Sequence, residues 1–285
     1  MNKLISLGFL MAAGYLNLPM QSYARDKIQT IRLGIPPRNI HDMTGSQFVK
    51  KILCESFSKR EEVIIKEILR GNFPDTLKVL RPVRISKSSP TSPSIYIWVM
   101  PDYLGVGSES DFVRTPLNFY SSLQLASSLN MELPTPKIVD HIFQQSECKF
   151  TPHPMPAGRK MSGTGYFFRH QKLIESDINP ASTRNKLLSG HKKDIVMSNK
   201  LKIRTGRIAI YGWHKPDGKP IQPCSTIHRA DYADYSHGLR LVYPRILVDG
   251  KWRSLRTSLK DKFLSRFLSN EGPMDIDSLR PAQGK

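Results

Sequence analysis

The chain has 285 residues, 43 Lys+Arg against 24 Asp+Glu, and a formal net charge of +19. With 39% apolar, 24% charged and 9% aromatic residues it can bury a core, which excludes a mainly disordered chain, a collagen and a polytopic membrane protein. Three cysteines are too few for a disulfide-stapled scaffold.

Met1–Ala24 opens with Lys3, continues through the apolar stretch Leu4–Met20 and ends on Ser22-Tyr23-Ala24, with small residues where a signal peptidase needs them. Gly8, Gly14 and Pro19 break a run that already falls short of the roughly 20 apolar residues a bilayer span needs. The segment therefore predicts export with cleavage near Ala24, to the periplasm or the medium, and no transmembrane span in the mature chain. Export places Cys54, Cys148 and Cys224 in an oxidising compartment, where an odd count allows at most one disulfide. It also directs the positive charge toward anionic lipid, lipopolysaccharide or cell-wall polymer. No nucleic-acid partner is expected, because no RNP, helix-turn-helix or zinc-finger pattern is present.

Residues 27–35 read as a strand stopped by Pro36-Pro37. Helices are expected over 47–57, capped by Ser46, and over 58–70, where Ser58 and Glu61 form a capping-box pattern and Gly71 ends the turn. The loop Ser88–Ser94 leads to a buried strand, Ile95–Met100. In the next loop Asp102, Glu109 and Asp111 with Arg114 form an acidic group that could do acid–base work or bind calcium, but without the calcium-loop pattern they read first as turn and cap chemistry. Thr115-Pro116 and Thr135-Pro136 each place a capping hydroxyl before a proline suited to the first helical turn. Residues 150–165 read as a long connection. Beyond it, short strands are expected at Asp194–Met197, Arg207–Tyr211 and Leu239–Val248, with an Asp249-Gly250 hairpin turn leading to Trp252. An amphipathic helix over 259–269 and a frayed tail over 271–285 close the chain.

These elements predict an α+β fold in which a helix-rich N-terminal part packs on a β-rich, antiparallel C-terminal part. The expected organisation is a signal peptide at 1–24, an α/β part at 25–150, a β-rich part at 151–270 carrying the site, and a tail at 271–285.

Polar chemistry concentrates between 190 and 240. His228, Asp231, Asp234 and His237 repeat every three residues, an interval a turn could bring to one face, with Ser236 and Arg240 beside them. A neutral imidazole accepts a proton near pH 7, a carboxylate can orient it, and an arginine or lysine can stabilise a developing anion. The expected catalytic group is therefore His228, Asp234, His237, Arg240 and Lys192. His191, Asp194 and His214 sit at strand ends and leave room for a divalent metal such as zinc, although no H-E-x-x-H spacing supports it. Ser236-His237-Gly238-x-Arg240, with Ile227-His228 upstream, is similar to the S-H-G-C-x-R signature of L,D-transpeptidases. Leu239 stands where that family carries its nucleophilic cysteine, and the activity is not carried over. The expected function is an exported hydrolase of a peptide or cell-envelope polymer. The alternative is a non-catalytic basic protein that binds anionic envelope components.

Overall fold

The computed structural model describes residues 28–281, so the leader reading over 1–24 lies outside the described residues. Five strands form the larger sheet: β1 (Ile31–Arg32), β2 (Val79–Ser86), β3 (Ile95–Val99), β12 (Arg245–Val248) and β13 (Lys251–Ser254), in that spatial order and antiparallel throughout. A four-stranded sheet runs in the order β10 (Pro220–Ser225), β9 (Ile210–His214), β8 (Lys193–Ile195), β11 (His237–Gly238). Its β8–β11 pair is parallel, as is the small pair β6 (Cys148–Lys149) with β7 (Leu188–Ser189), whereas β4 (Gly105–Gly107) and β5 (Phe112–Arg114) form a hairpin.

The helices are α1 (Gly45–Ile52), α2 (Phe57–Leu69), α3 (Phe119–Ser128), α4 (Pro136–Gln145), α5 (Thr164–Asp177), α6 (Pro180–Thr183), α7 (Leu255–Lys260) and α8 (Ser265–Leu268). The fold is α+β, and the two halves interleave: β12 and β13, from the C-terminal end, complete the sheet begun by β1–β3. One continuous apolar core runs from Leu33 to Leu279.

Most expected elements form, with shifted caps. Thr44 rather than Ser46 caps α1, and its hydroxyl and Gln47 make a reciprocal capping box. Ser56, not Ser58, caps α2, and Gly71 leaves that helix at φ +88°. Thr135-Pro136 starts α4 as its sequence predicts. Thr115-Pro116 does not start α3, which begins two residues beyond Leu117 under an Asn118 cap. The Asp249-Gly250 turn has φ +47° and +76°, the left-handed pair a two-residue hairpin requires. The expected connection over 150–165 carries a 3-10 turn at Arg159–Ser162 and runs into α5 at Thr164. The terminal helix is broken into α7 and α8 around Asp261, whose carboxylate takes the Phe263 and Leu264 amides. Residues 271–279 are anchored rather than frayed, because Met274, Ile276 and Leu279 are buried. Among the described residues no helix is long and apolar enough to cross a membrane.

Candidate functional site

Gly190-His191-Lys192-Lys193-Asp194 leads into and forms most of β8, and its polar side chains are nearly all enclosed. Gly190 turns the chain at φ +97°, where a Cβ would stand 2.2 Å from the Phe150 carbonyl oxygen. His191 Nε2 lies 2.9 Å from Asp102 Oδ1, and Arg114 grips the same carboxylate through Nε and Nη2. Burial alone would raise the Asp102 carboxyl, yet Arg114 and His191 hold it far below the ordinary carboxylate range. Burial pushes His191 down to about 4 against the pull of Asp102, so its ring is neutral at pH 7.

Lys192 Nζ donates to the Tyr235 carbonyl at 2.6 Å, and burial lowers its pKa to about 7. Asp194 is raised by burial to about 6, with Arg240 opposing, and accepts the Tyr103 hydroxyl at 2.8 Å. Arg240 is fully enclosed; it donates to the Met100 and Leu188 carbonyls and lies over the Tyr103 ring. Its forks bind main chain, which makes it a clasp between strands and loops rather than a group aimed at a substrate.

A second cluster forms where β11 pairs with β8. The parallel register sets His237 beside Lys193. Asp234 Oδ1 accepts the Ser236 amide at 2.8 Å and the Ser236 hydroxyl at 2.5 Å, while Asp234 Oδ2 stands 4.0 Å from His237 Nε2. His237 is 0% exposed, and among the described residues neither of its ring nitrogens, nor Asp234 Oδ2, makes a hydrogen bond of good geometry, although the Leu117 carbonyl lies near enough to His237, and the Tyr232 hydroxyl near enough to Asp234, to act on their titration. Native proteins rarely leave buried polar atoms unsatisfied, so two such groups facing each other mark a place for a water or a ligand atom. Burial lowers His237 to about 4, with Asp234 pulling the other way. His228 and Tyr232, both half-buried and stacked at 4.4 Å, roof the site, their rings 6.3 and 6.0 Å from that of His237.

The adjoining wall is aromatic. Lys193 Nζ lies 5.0 Å from the Trp213 ring centre, and His170 packs on Tyr235 at 4.8 Å and on Trp213 at 6.1 Å. Trp213 holds φ +54° immediately after Gly212 at φ +98°, a sparsely populated backbone for an aromatic residue. This kink in β9 lets Trp213 line the wall while His214 reaches Asp140.

The expected metal set does not assemble. His191 is taken by Asp102, Asp194 by Tyr103, and His214 by Asp140 at 3.0 Å. Among the described residues no group of three or more His, Cys, Asp or Glu side chains is placed to hold a metal ion. The His214–Asp140 pair, joined by the Tyr211 hydroxyl at 2.8 Å, instead lines a separate cavity of about 560 Å³. The expected catalytic set is divided in the same way: His228, Asp234 and His237 come together, while Lys192 and Arg240 are occupied by main-chain carbonyls. Glu109 and Asp111 do serve as turn and cap groups, bonding Thr76 and Ser46. A cavity of about 710 Å³ lies away from His237 and is lined by Asp102, Arg114, Phe112, Glu175, Arg184 and Leu188, among others. The cysteines are unpaired, Cys54 exposed and the other two half-buried.

Lys193, Tyr232 and Tyr103 carry the site's geometry without having been singled out for it in the sequence, and Lys193 had a local signal as the second lysine beside His191. Asp102 and Arg114, read mainly as turn and cap chemistry, instead form a buried ion pair on His191. Comparison with protein-family models, with curated proteins and with solved structures finds no match.

Proposed function

We propose that the chain is an exported hydrolase whose catalytic centre is the His237–Asp234 pair beneath His228 and Tyr232, with Lys193 at its side. The observation that carries this reading is the enclosed imidazole of His237, with no hydrogen bond of good geometry on either nitrogen, 4.0 Å from an Asp234 carboxylate oxygen that likewise has none. That gap is too long for a direct hydrogen bond and suits one bridging water.

In the proposed reaction the neutral His237 takes a proton from water as the water oxygen attacks an acyl carbon. The Lys193 ammonium stabilises the oxyanion that forms, and the imidazolium returns its proton to the departing amine. Ser236 is not the nucleophile, because its hydroxyl is donated to Asp234 and not to His237. The half-buried His228 and Tyr232 are the side through which a substrate would approach the centre. A peptide or cell-envelope polymer is the substrate class that fits export and a basic surface.

The test is incubation of the purified protein with cell-envelope peptide fragments, with products read by mass spectrometry. Cleavage by the wild type, lost in His237→Ala and in Asp234→Asn while both variants keep the wild-type melting curve, supports the reading; equal cleavage by all three overturns it.

A second reading has its own observation. The 710 Å³ cavity has a buried ion pair at its floor and both signs of charge at its mouth, Glu109 and Glu175 against Arg184 and Lys186. Such a cavity suits a non-catalytic protein that holds an envelope component. Ligand-dependent stabilisation that is lost in an Arg184→Glu/Lys186→Glu variant and unaffected by His237→Ala favours it.

A further inference from the structure

The larger sheet buries one face in the core, and on the other face Leu80 and Trp98 are covered while the part around Tyr96, Leu247 and Trp252 stays open. Val83, Ile97, Val99, Ile246 and Val248 point into the core. On the opposite face the register aligns Arg84, Tyr96, Leu247 and Trp252 in one row across β2, β3, β12 and β13, because directly opposed residues share a face. Tyr96 and Leu247 are half-buried, and Trp252 is 41% exposed. The Trp252 ring stands 4.7 Å from that of Trp98 and 6.2 Å from that of Tyr243, with Arg245 over it at 5.4 Å. Aromatic side chains thus form a platform at the edge of the sheet, with guanidinium groups around it.

The charge of this region is one-sided. Residues 79–100 contain Arg81, Arg84 and Lys87 and no Asp or Glu, and residues 243–256 contain Arg245, Lys251, Arg253 and Arg256 with Asp249 as the single acid. Arg81 pairs with Glu147, and Arg256 with Glu132 and Asp277. Among the described residues Arg84, Lys87, Arg245, Lys251 and Arg253 make no ion pair, and the side chains of Arg84, Arg245, Lys251 and Arg253 are exposed. The Trp98 indole donates to the Gln29 carbonyl at 2.7 Å, so the backbone at Gln29 runs beside this platform.

We infer that this sheet face docks on an anionic lipid surface, with Trp252 entering the headgroup layer and the unpaired Arg84 and Arg245, which share its face, meeting lipid phosphates. Tryptophan and tyrosine are the residues enriched at the membrane–water boundary, where one end of the ring is apolar and the other wet. Basic side chains beside them draw the protein to negatively charged leaflets. The inference goes beyond the hydrolase reading and does not depend on it; it places the protein against a membrane, whatever bond it cuts.

The experiment uses tryptophan fluorescence of the whole protein with lipid vesicles. Trp98 and Trp213 are 3% and 5% exposed, so Trp252 is the indole whose surroundings lipid can change most, and residues 1–27 contain no tryptophan. Phosphatidylglycerol vesicles should shift the emission to shorter wavelength, phosphatidylcholine vesicles should not, and raising the salt concentration should reverse the shift. Trp252→Phe should abolish the shift while keeping the melting curve, and Arg84→Ser/Arg245→Ser should weaken vesicle binding at least about tenfold. Four results would overturn the inference: no shift with phosphatidylglycerol; an equal shift with phosphatidylcholine; a shift that persists in Trp252→Phe; or a shift that depends on protein concentration without lipid, which would mean that a second copy covers the face. A shift produced by a soluble polyanion such as dextran sulfate, with none from vesicles, would likewise reject lipid in favour of a polymer.

Discussion

His170 is fully enclosed between Tyr235 and Trp213, and among the described residues neither of its ring nitrogens has a hydrogen-bond partner. Burial, followed by the nearby charges of Lys192 and His191, pushes its pKa far below the ordinary histidine range. The folded protein therefore keeps this ring neutral while the unfolded chain takes up a proton as pH falls through about 6.5. In that window the unfolded state binds more protons, so stability is lost on acidification. His191 and His237, both at about 4, act in the same direction between about 6.5 and 4. Asp194, raised to about 6, opposes them, because its folded form takes up a proton first as the pH drops. His170→Phe removes the unsatisfied polar atoms and should stabilise the protein by about 1 kcal/mol or more at pH 7.5. The advantage over wild type should widen at pH 5, read as urea midpoints; an advantage that shrinks at pH 5 would contradict this account of the buried ring.

At the same scale, sequence proximity decided what could be read in advance. His228, Asp234 and His237 lie within one short loop, and their clustering is written in the chain. Lys193 enters only through the β8–β11 register, and Asp102 meets His191 across 89 positions. Nothing local records either contact. Arg240 donates to two main-chain carbonyls, and an arginine beside histidines looks the same in sequence whether its fork meets a ligand or two carbonyls.

Among the elements, β11 shows how little chain can hold a site. It has two residues, and Gly238 lets it approach the neighbouring layer: a Cβ there would lie 2.6 Å from Tyr103 Cδ1 and 2.8 Å from Lys192 Cβ. The backbone needs no left-handed conformation at this position, so the requirement is space alone. Gly238→Ala should cost about 1–3 kcal/mol through overpacking, measured by urea denaturation; a neutral result would show that the layer yields easily. Helices α2 and α4 were legible because a cap and an apolar stripe coincide. Helix α5 was not, since Gly163 caps it without a side chain and its buried face includes His170 and Gln171. A stripe that buries polar residues for a site does not look hydrophobic, and the Pro/Gly-rich stretch before it reads as a connection.

For the whole molecule, the decisive fact is the closure of the first sheet by the last strands. The α+β class follows from the elements, but the interleaving of the two halves depends on pairings between β3 and β12, some 150 positions apart. The C-terminal segment adds to that closure. Met274 packs into the core and donates its amide to the Leu259 carbonyl, and Ile276 and Leu279 are also buried. Deleting residues 273–285 removes three large buried side chains, each worth about 2–5 kcal/mol when truncated. The shortened chain should lose its cooperative thermal transition. A truncated protein that melts as wild type does would mean that the segment rests on the core without supporting it.

The central claim is that an enclosed, neutral His237 serves as the base. Its most direct test is the pH dependence of peptide hydrolysis by wild type and His237→Ala, once a cleaved envelope peptide is in hand. The account predicts a wild-type rate sustained down to about pH 5 that falls near pH 4, where the ring protonates, and a loss of about 100-fold or more across the range in the variant with an unchanged urea midpoint. A variant that hydrolyses at the wild-type rate with the same profile would contradict it.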